Sequence, residues 1–283
     1  MNLVILSIAI LAGLGIVSAV VLFLTSKRFH VKENPKVAEI EELLPGANCG
    51  GCGCNGCHDF AVTCAGAKSL DGLRCPSCGE EVMARIASIV GLAKVATEKP
   101  KIAVLHCNGT CDNRPRKSYY DGVQSCHIAH SLFLGARGCA YGCLGCGDCV
   151  SACKFGAMRI DSKQGIVVID DEKCVGCGAC VKMCPRNLIE LRNKGPRGMR
   201  VYVACANKDK GALAMKECGV SCIGCKKCVK ECAHDAIIVE DNLARIDYEK
   251  CKLCKKCVAA CPRSSILAVN FPEKKVITNE END

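Results

Sequence analysis

Apolar positions along this chain form one long block followed by many short ones. Asn2 to Thr25 carry no charge and are mostly Leu, Ile, Val, Ala and Gly, enough for one helix to cross a hydrocarbon layer. No basic segment precedes the block and no small-x-small cleavage site follows it, so it reads as an anchor and not as a cleaved signal. Lys27, Arg28, His30 and Lys32 come next. This basic flank predicts a single pass through the cell inner (cytoplasmic) membrane, with the N-terminus outside and the remainder in the cytoplasm. Val37, Ile40, Leu43 and Leu44 predict a helix over 35–44 that stops at Pro45-Gly46, and Val82, Ile86 and Val90 predict another over 79–90. Beyond residue 100 the pattern shortens to strands. They are predicted at Ile102 to Leu105, Ala157 to Ile160, Ile166 to Ile169, Leu188 to Leu191, Ala236 to Val239, Ala244 to Ile246 and Ile266 to Val269, with a further strand ending at Cys205. The break between the two strand-rich halves falls at Gly195-Pro196-Arg197-Gly198.

Composition then changes the picture. Of 283 residues 29 are Cys, none is Trp and 4% are aromatic, too few large side chains for ordinary cores at this length. Cys143/Cys146/Cys149/Cys153, Cys174/Cys177/Cys180/Cys184, Cys222/Cys225/Cys228/Cys232 and Cys251/Cys254/Cys257/Cys261 each follow Cys-x2-Cys-x2-Cys-x3-Cys. Four such runs in two pairs point to bacterial two-cluster ferredoxin units, and the repeated gaps argue against a disulfide scaffold. The fourth cysteine of each run is expected to ligate the cluster of the other run. That gives [4Fe–4S] sets Cys143, Cys146, Cys149, Cys184; Cys153, Cys174, Cys177, Cys180; Cys222, Cys225, Cys228, Cys261; and Cys232, Cys251, Cys254, Cys257.

The glycine-rich stretch from Cys49 to Cys57 suits backbone wrapped tightly around a fifth cluster, with Cys49, Cys52, Cys57 and Cys75 as its ligands. A four-cysteine zinc site using Cys75 and Cys78 is the alternative there. Cys54-x2-Cys57-His58 has the form of a c-type haem attachment, but it would stand on the reducing side of the membrane and leave Cys49 and Cys52 without purpose. Cys107, Cys111, Cys126 and Cys139 remain between two credible modules and are expected to hold a sixth cluster. Cys78, Cys205 and Cys218 stand as alternative ligands. Strand-then-Cys at Cys107 and Cys205, with Cys-x3-Cys leading into the first run of each half from Cys139 and Cys218, indicates an internal duplication.

The net charge of +9 counts every thiol as neutral. Six oxidised cubanes held by thiolates bring about −12, leaving the loaded chain near −3, so nucleic acid is not an expected partner. Lys226, Lys227, Lys230, Lys252, Lys255 and Lys256 read either as a solvated face or as a docking patch for an acidic electron carrier. No strand-linked G-x-G-x-x-G is present, so neither NAD nor flavin is expected here, nor a catalytic site.

The resulting architecture is α+β. It comprises a transmembrane helix (1–26), an N-terminal [4Fe–4S] module (27–95), an intervening cysteine segment (96–138), a first two-cluster ferredoxin domain (139–195), a linking strand segment (196–217), a second ferredoxin domain (218–270) and a polar tail (271–283). Together with the Ala47-Asn-Cys49-Gly-Gly-Cys52-Gly-Cys54-Asn-Gly-Cys57 loop and downstream Cys75, this order resembles the B subunit of the Rnf/Rsx electron-transport complex over essentially the whole chain. It departs from that pattern at Cys54-Asn55 and at Pro76-Ser77-Cys78, where Cys78 is an alternative to Cys75. The resemblance implies a relay from soluble reduced ferredoxin to other membrane and peripheral subunits of an ion-translocating ferredoxin:NAD+ oxidoreductase. A relay subunit of another membrane oxidoreductase, such as a hydrogenase, and a non-redox metal scaffold are the rival readings.

Overall fold

The computed structural model describes residues 2–28, 34–92, 99–132 and 135–272. His30, Lys32 and nearly all of the expected tail lie outside them. Helix α1 (Asn2–Arg28) has 27 residues and so spans about 40 Å, more than a bilayer's hydrocarbon core. Every side chain described along it is exposed, and Ile5–Arg28 is long and apolar enough to cross a membrane. A helix apolar all round finds no partner here except lipid or another protein.

Three helices form the next unit: α2 (Pro35–Leu43), α3 (Cys57–Gly66) and α4 (Glu80–Val90). Asn34 caps α2 through Lys36 N, with Pro35 in the first turn where its missing N–H costs nothing. Gly91 ends α4 in the left-handed conformation. Val37, Ile40, Phe60, Ala61, Cys64, Leu70, Met83 and Ile86 make the shared core. The apolar pattern did not predict α3, because Gly56 offers no capping side chain. Asn48 supplies the cap from nine residues upstream, its Oδ1 accepting from Cys57 N at 2.7 Å.

The two ferredoxin-like halves repeat one plan. In the first, β1 (Lys101–Leu105) is followed by α5 (Cys126–Leu132), α6 (Asp148–Ser151), β2 (Met158–Ile160), β3 (Val167–Ile169), α7 (Ala179–Lys182) and β4 (Ile189–Asn193). In the second, β5 (Arg200–Val203) is followed by α8 (Gly211–Glu217), α9 (Lys227–Lys230), β6 (Ile237–Glu240), β7 (Leu243–Ile246), α10 (Lys256–Ala260) and β8 (Ile266–Val269). All pairings are antiparallel: β1 with β4, β2 with β3, β5 with β8 and β6 with β7. A strand cannot leave its backbone groups unpaired when buried, so β1 and β5 belong to the ferredoxin-like halves and not to separate segments ahead of them. β1 and β5 lie ahead of the boundaries expected at 139 and 218, and each pairs with the last strand of the half that follows it. What lies between β1 and the first run is an excursion from that half.

The halves meet across their opening strands. Ala103 and Leu105 face the first half's own core, while Ile102 and Val104 pack on Tyr202 and Ala204 of the second. The His106 ring stands edge-on to Tyr202 at 5.9 Å and bonds Val203 O at 2.8 Å. Asp171 takes Arg200 as an ion-pair partner and accepts from Asn270. Pro196–Gly198 makes a single 3-10 turn between the halves, with Arg197 and Gly198 both at positive φ.

Candidate metal centres

The four cysteine runs share one backbone conformation. Gly145 and Gly147, Gly176 and Gly178, Gly224 and Lys226, and Leu253 and Lys255 occupy matching places between the first three cysteines of each run, and all eight have positive φ. Gly156, Asn187, Asp235 and Ser264, three residues past each fourth cysteine, do too. Leu253, Lys226 and Lys255 hold a conformation that favours glycine at a cost of about 1–2 kcal/mol each. Such strain persists where something within the loop over-determines it.

The structure brings cysteines of paired runs together. Cys222, Cys225, Cys228 and Cys261 line one small pocket, and Cys232, Cys251, Cys254 and Cys257 line another. In the first half, Cys143, Cys149 and Cys184 line a third, where Cys126 joins them. Cys180 has Cys174, Cys177 and Cys153 as its charge neighbours. In each group the fourth cysteine comes from the partner run. Burial first, and neighbouring thiolates second, push the thiols up: Cys149 and Cys180 to about 12, Cys228 and Cys257 to about 11. Thiols held protonated by burial ligate no metal; a cationic centre would favour their thiolates instead. Three cysteines of one run joined by the fourth of its partner run is the ligand pattern of a two-cluster ferredoxin, and a cubane held there would supply one-electron transfer.

In the N-terminal unit Cys78 has Cys75, Cys57 and Cys49 as its neighbours, and Cys52 lies near Cys75 and Cys54. Hydrogen bonding from Cys78 holds Cys75 down at about 6. Cys78 itself is pushed well up by that bond and by burial. Both thus stand beside the Cys49–Cys57 loop. His58 is bonded to Glu41 across α2 and α3 at 2.8 Å. The loop also touches the first ferredoxin-like half. Gly51 lies on the Cys177 backbone, and Lys154 Nζ donates to Asn48 O at 3.4 Å.

Cys107, Cys111, Cys126 and Cys139 are not brought together as one set. Cys111 accepts from Arg137 Nη2 at 2.8 Å and sits at the β2–β3 turn beside Gly165. Cys126 opens α5 and lies within hydrogen-bonding reach of Cys146. Asp148 holds it there, accepting from Ser125 Oγ at 3.0 Å and from His127 N at 3.2 Å. The residues matching Asp148 in the other runs are Ala179, Lys227 and Lys256, so Asp148 is the one carboxylate at that place, though the sequence does not show what it holds. Cys107 keeps Cys139 as a neighbour and gains Cys205 and Cys218.

Comparison with known proteins accords with this geometry. A family model described as 4Fe-4S dicluster domain matches residues 142–188 and 221–265, and a second of the same description matches 173–237. The B subunit of the Na(+)-translocating ferredoxin:NAD(+) oxidoreductase complex of Acetobacterium woodii is 39% identical over 253 residues, 89% of this chain and 74% of that protein. The B subunit of the proton-translocating ferredoxin:NAD(+) oxidoreductase complex of Clostridium ljungdahlii is 41% identical over 251 residues, covering 89% and 87%. The B subunit of the ion-translocating oxidoreductase complex of Methanosarcina acetivorans is 40% identical over 248 residues, covering 87% and 90%.

Proposed function

Because the chain belongs to the B-subunit family of ion-translocating ferredoxin:NAD+ oxidoreductase complexes, we propose that it takes electrons from soluble reduced ferredoxin and relays them through six [4Fe–4S] clusters to other membrane and peripheral subunits. It is an iron–sulfur electron-transfer subunit associated with the membrane. We assign the N-terminus to the outer side and the cluster domains to the cytoplasm, on the strength of Lys27 and Arg28 closing the apolar helix. The chain relays and does not itself hold NAD, flavin or haem.

One observation carries the direction of electron entry. Cys225 and Cys254 are the two exposed cysteines among all 29, and the exposed Lys226, Lys227, Lys230, Lys252 and Lys256 surround them. An acidic carrier steered by these charges would reach the second half's clusters first, at the end of the chain furthest in sequence from the membrane helix. Reduced ferredoxin added to the anaerobically loaded chain should bleach its visible cluster absorbance, more slowly as salt rises. Reversing Lys226, Lys227 and Lys230 to Glu should slow the bleaching at low salt and flatten its salt dependence. No bleaching by reduced ferredoxin, with dithionite still effective, would overturn the assignment.

A further inference from the structure

Each half of the duplication contributes a strand-end cysteine and a cysteine four residues ahead of its first run: Cys107 and Cys139 from one, Cys205 and Cys218 from the other. In each half the strand-end sulfur accepts from the backbone N–H of the first cysteine in the run, Cys143 N to Cys107 at 3.4 Å and Cys222 N to Cys205 at 3.3 Å. In each half, too, the other cysteine takes a backbone N–H bond from two residues on, Tyr141 and Val220. Asn207, almost fully buried, joins the halves: its backbone N–H donates to Cys205 and its side-chain amide to Cys139, both at 3.5 Å. Four sulfurs thus lie where the two domains meet, each served by backbone N–H donors as cluster thiolates are.

Charge points the same way. Arg114, 1% exposed, lies against Cys107 at Gly109 and donates to Cys143 O at 2.5 Å. Its Nε has no partner, and none of the ion pairs among the described residues includes it; the nearby carboxylate, Glu217, accepts from Asn207 and neighbours Cys139. Arg263 approaches from the second half, donating to Cys218 O at 3.2 Å, its Nε likewise unpartnered. Arg263 is partly buried. A buried guanidinium such as that of Arg114 is costly without an anion, and neutral thiols do not neutralise it. A cubane on four thiolates, at about −2, does.

We propose that Cys107, Cys139, Cys205 and Cys218 bind a [4Fe–4S] cluster shared between the two ferredoxin-like domains, with Arg114 and Arg263 as its counter-charges. The proposal rests on the reading of the runs as cluster sites and supplies the sixth centre. It also places that centre beside Cys143 and Cys222, ligands of the nearest cluster in each half. An electron leaving one neighbour reduces this cluster by one and is passed on, with no atom transferred.

The test is iron and acid-labile sulfide per anaerobically loaded full chain, with reduced-state EPR, for Cys139→Ala, Cys218→Ala and the double variant. Each single variant should lose about four of about twenty-four irons, and the double should lose no more, because both remove the same cluster. Unchanged iron in both singles, or a double that loses about eight, overturns the proposal. Cys225→Ala is the control: if it too keeps all its iron, the cluster reading of the runs has failed and not this assignment alone. Should the variants not fold, alkylation of the loaded wild-type chain decides. Cys107, Cys139, Cys205 and Cys218 should be protected while Cys111 labels, and labelling of the four at the rate of Cys111 overturns it.

Discussion

Gly51 offers the sharpest perturbation of the path between the N-terminal unit and the first ferredoxin-like half. Its φ is unremarkable, so what the position requires is space. A Cβ there would lie 2.8 Å from Cys177 Cβ, 2.8 Å from Cys177 O and 2.9 Å from Cys177 Cα. Carbon atoms rest at about 3.5–4.0 Å, so Gly51→Ala demands a retreat of close to an ångström from atoms that are backbone or nearly so. Overpacking of this kind costs about 1–3 kcal/mol, or about 5-fold to 160-fold in the docked population. Each unit keeps its own ligands, so iron content should not change. The expected loss is the magnetic coupling between the N-terminal cluster and the Cys177 cluster in the reduced-state EPR spectrum, with faster hydrogen exchange around Asn48. Wild-type coupling with wild-type exchange in Gly51→Ala would refute the close approach of the two units.

Lys226→Gly should raise the loaded protein's stability by about 1 kcal/mol, because the residue holds φ 60° where the first two runs have Gly147 and Gly178; a lowered melting temperature would count against strain at this position. Asp148→Ala should release the start of α5 at a cost of about 1 kcal/mol and leave Cys126 open to alkylation, with iron content unchanged; loss of iron would show that Cys126 or the clamp is needed to hold the cluster. Stripping iron should abolish exchange protection in β1–β8 but spare α2–α4, since the first unit's core holds Phe60, Ile40, Met83 and Ile86 while Cys143, Cys149 and Cys180 make up a third of the core of the first ferredoxin-like half. Uniform loss, or uniform survival, would contradict that division.

Short range decided what could be read in advance. The strands and the crossed cysteine groups follow from alternation and from spacings of two and three residues, so β2, β4 and β6 fall where the apolar runs put them. The same holds for α2 and α4. Contacts formed by distant residues were not legible. Asn48 capping α3, Asp148 holding Cys126 away from Cys107, and Asn207 joining Cys139 to Cys205 each depend on chain that returns from elsewhere. Spacing alone grouped Cys107, Cys111, Cys126 and Cys139 because they are neighbours in sequence. The duplication, which was visible, offers the other grouping: β1 packs on β5, and Cys205 and Cys218 are neighbours of Cys107.

The most direct test of the relay is made in the purified complex. Reduced ferredoxin and NAD+ are mixed with complexes carrying either the intact chain or Cys225→Ala, and NADH formation is followed alongside cluster bleaching. A relay through this chain predicts bleaching before NADH formation in the intact complex and strongly slowed NADH formation in the variant. NADH formation at the intact rate in a complex whose relay chain lacks that cluster would contradict it.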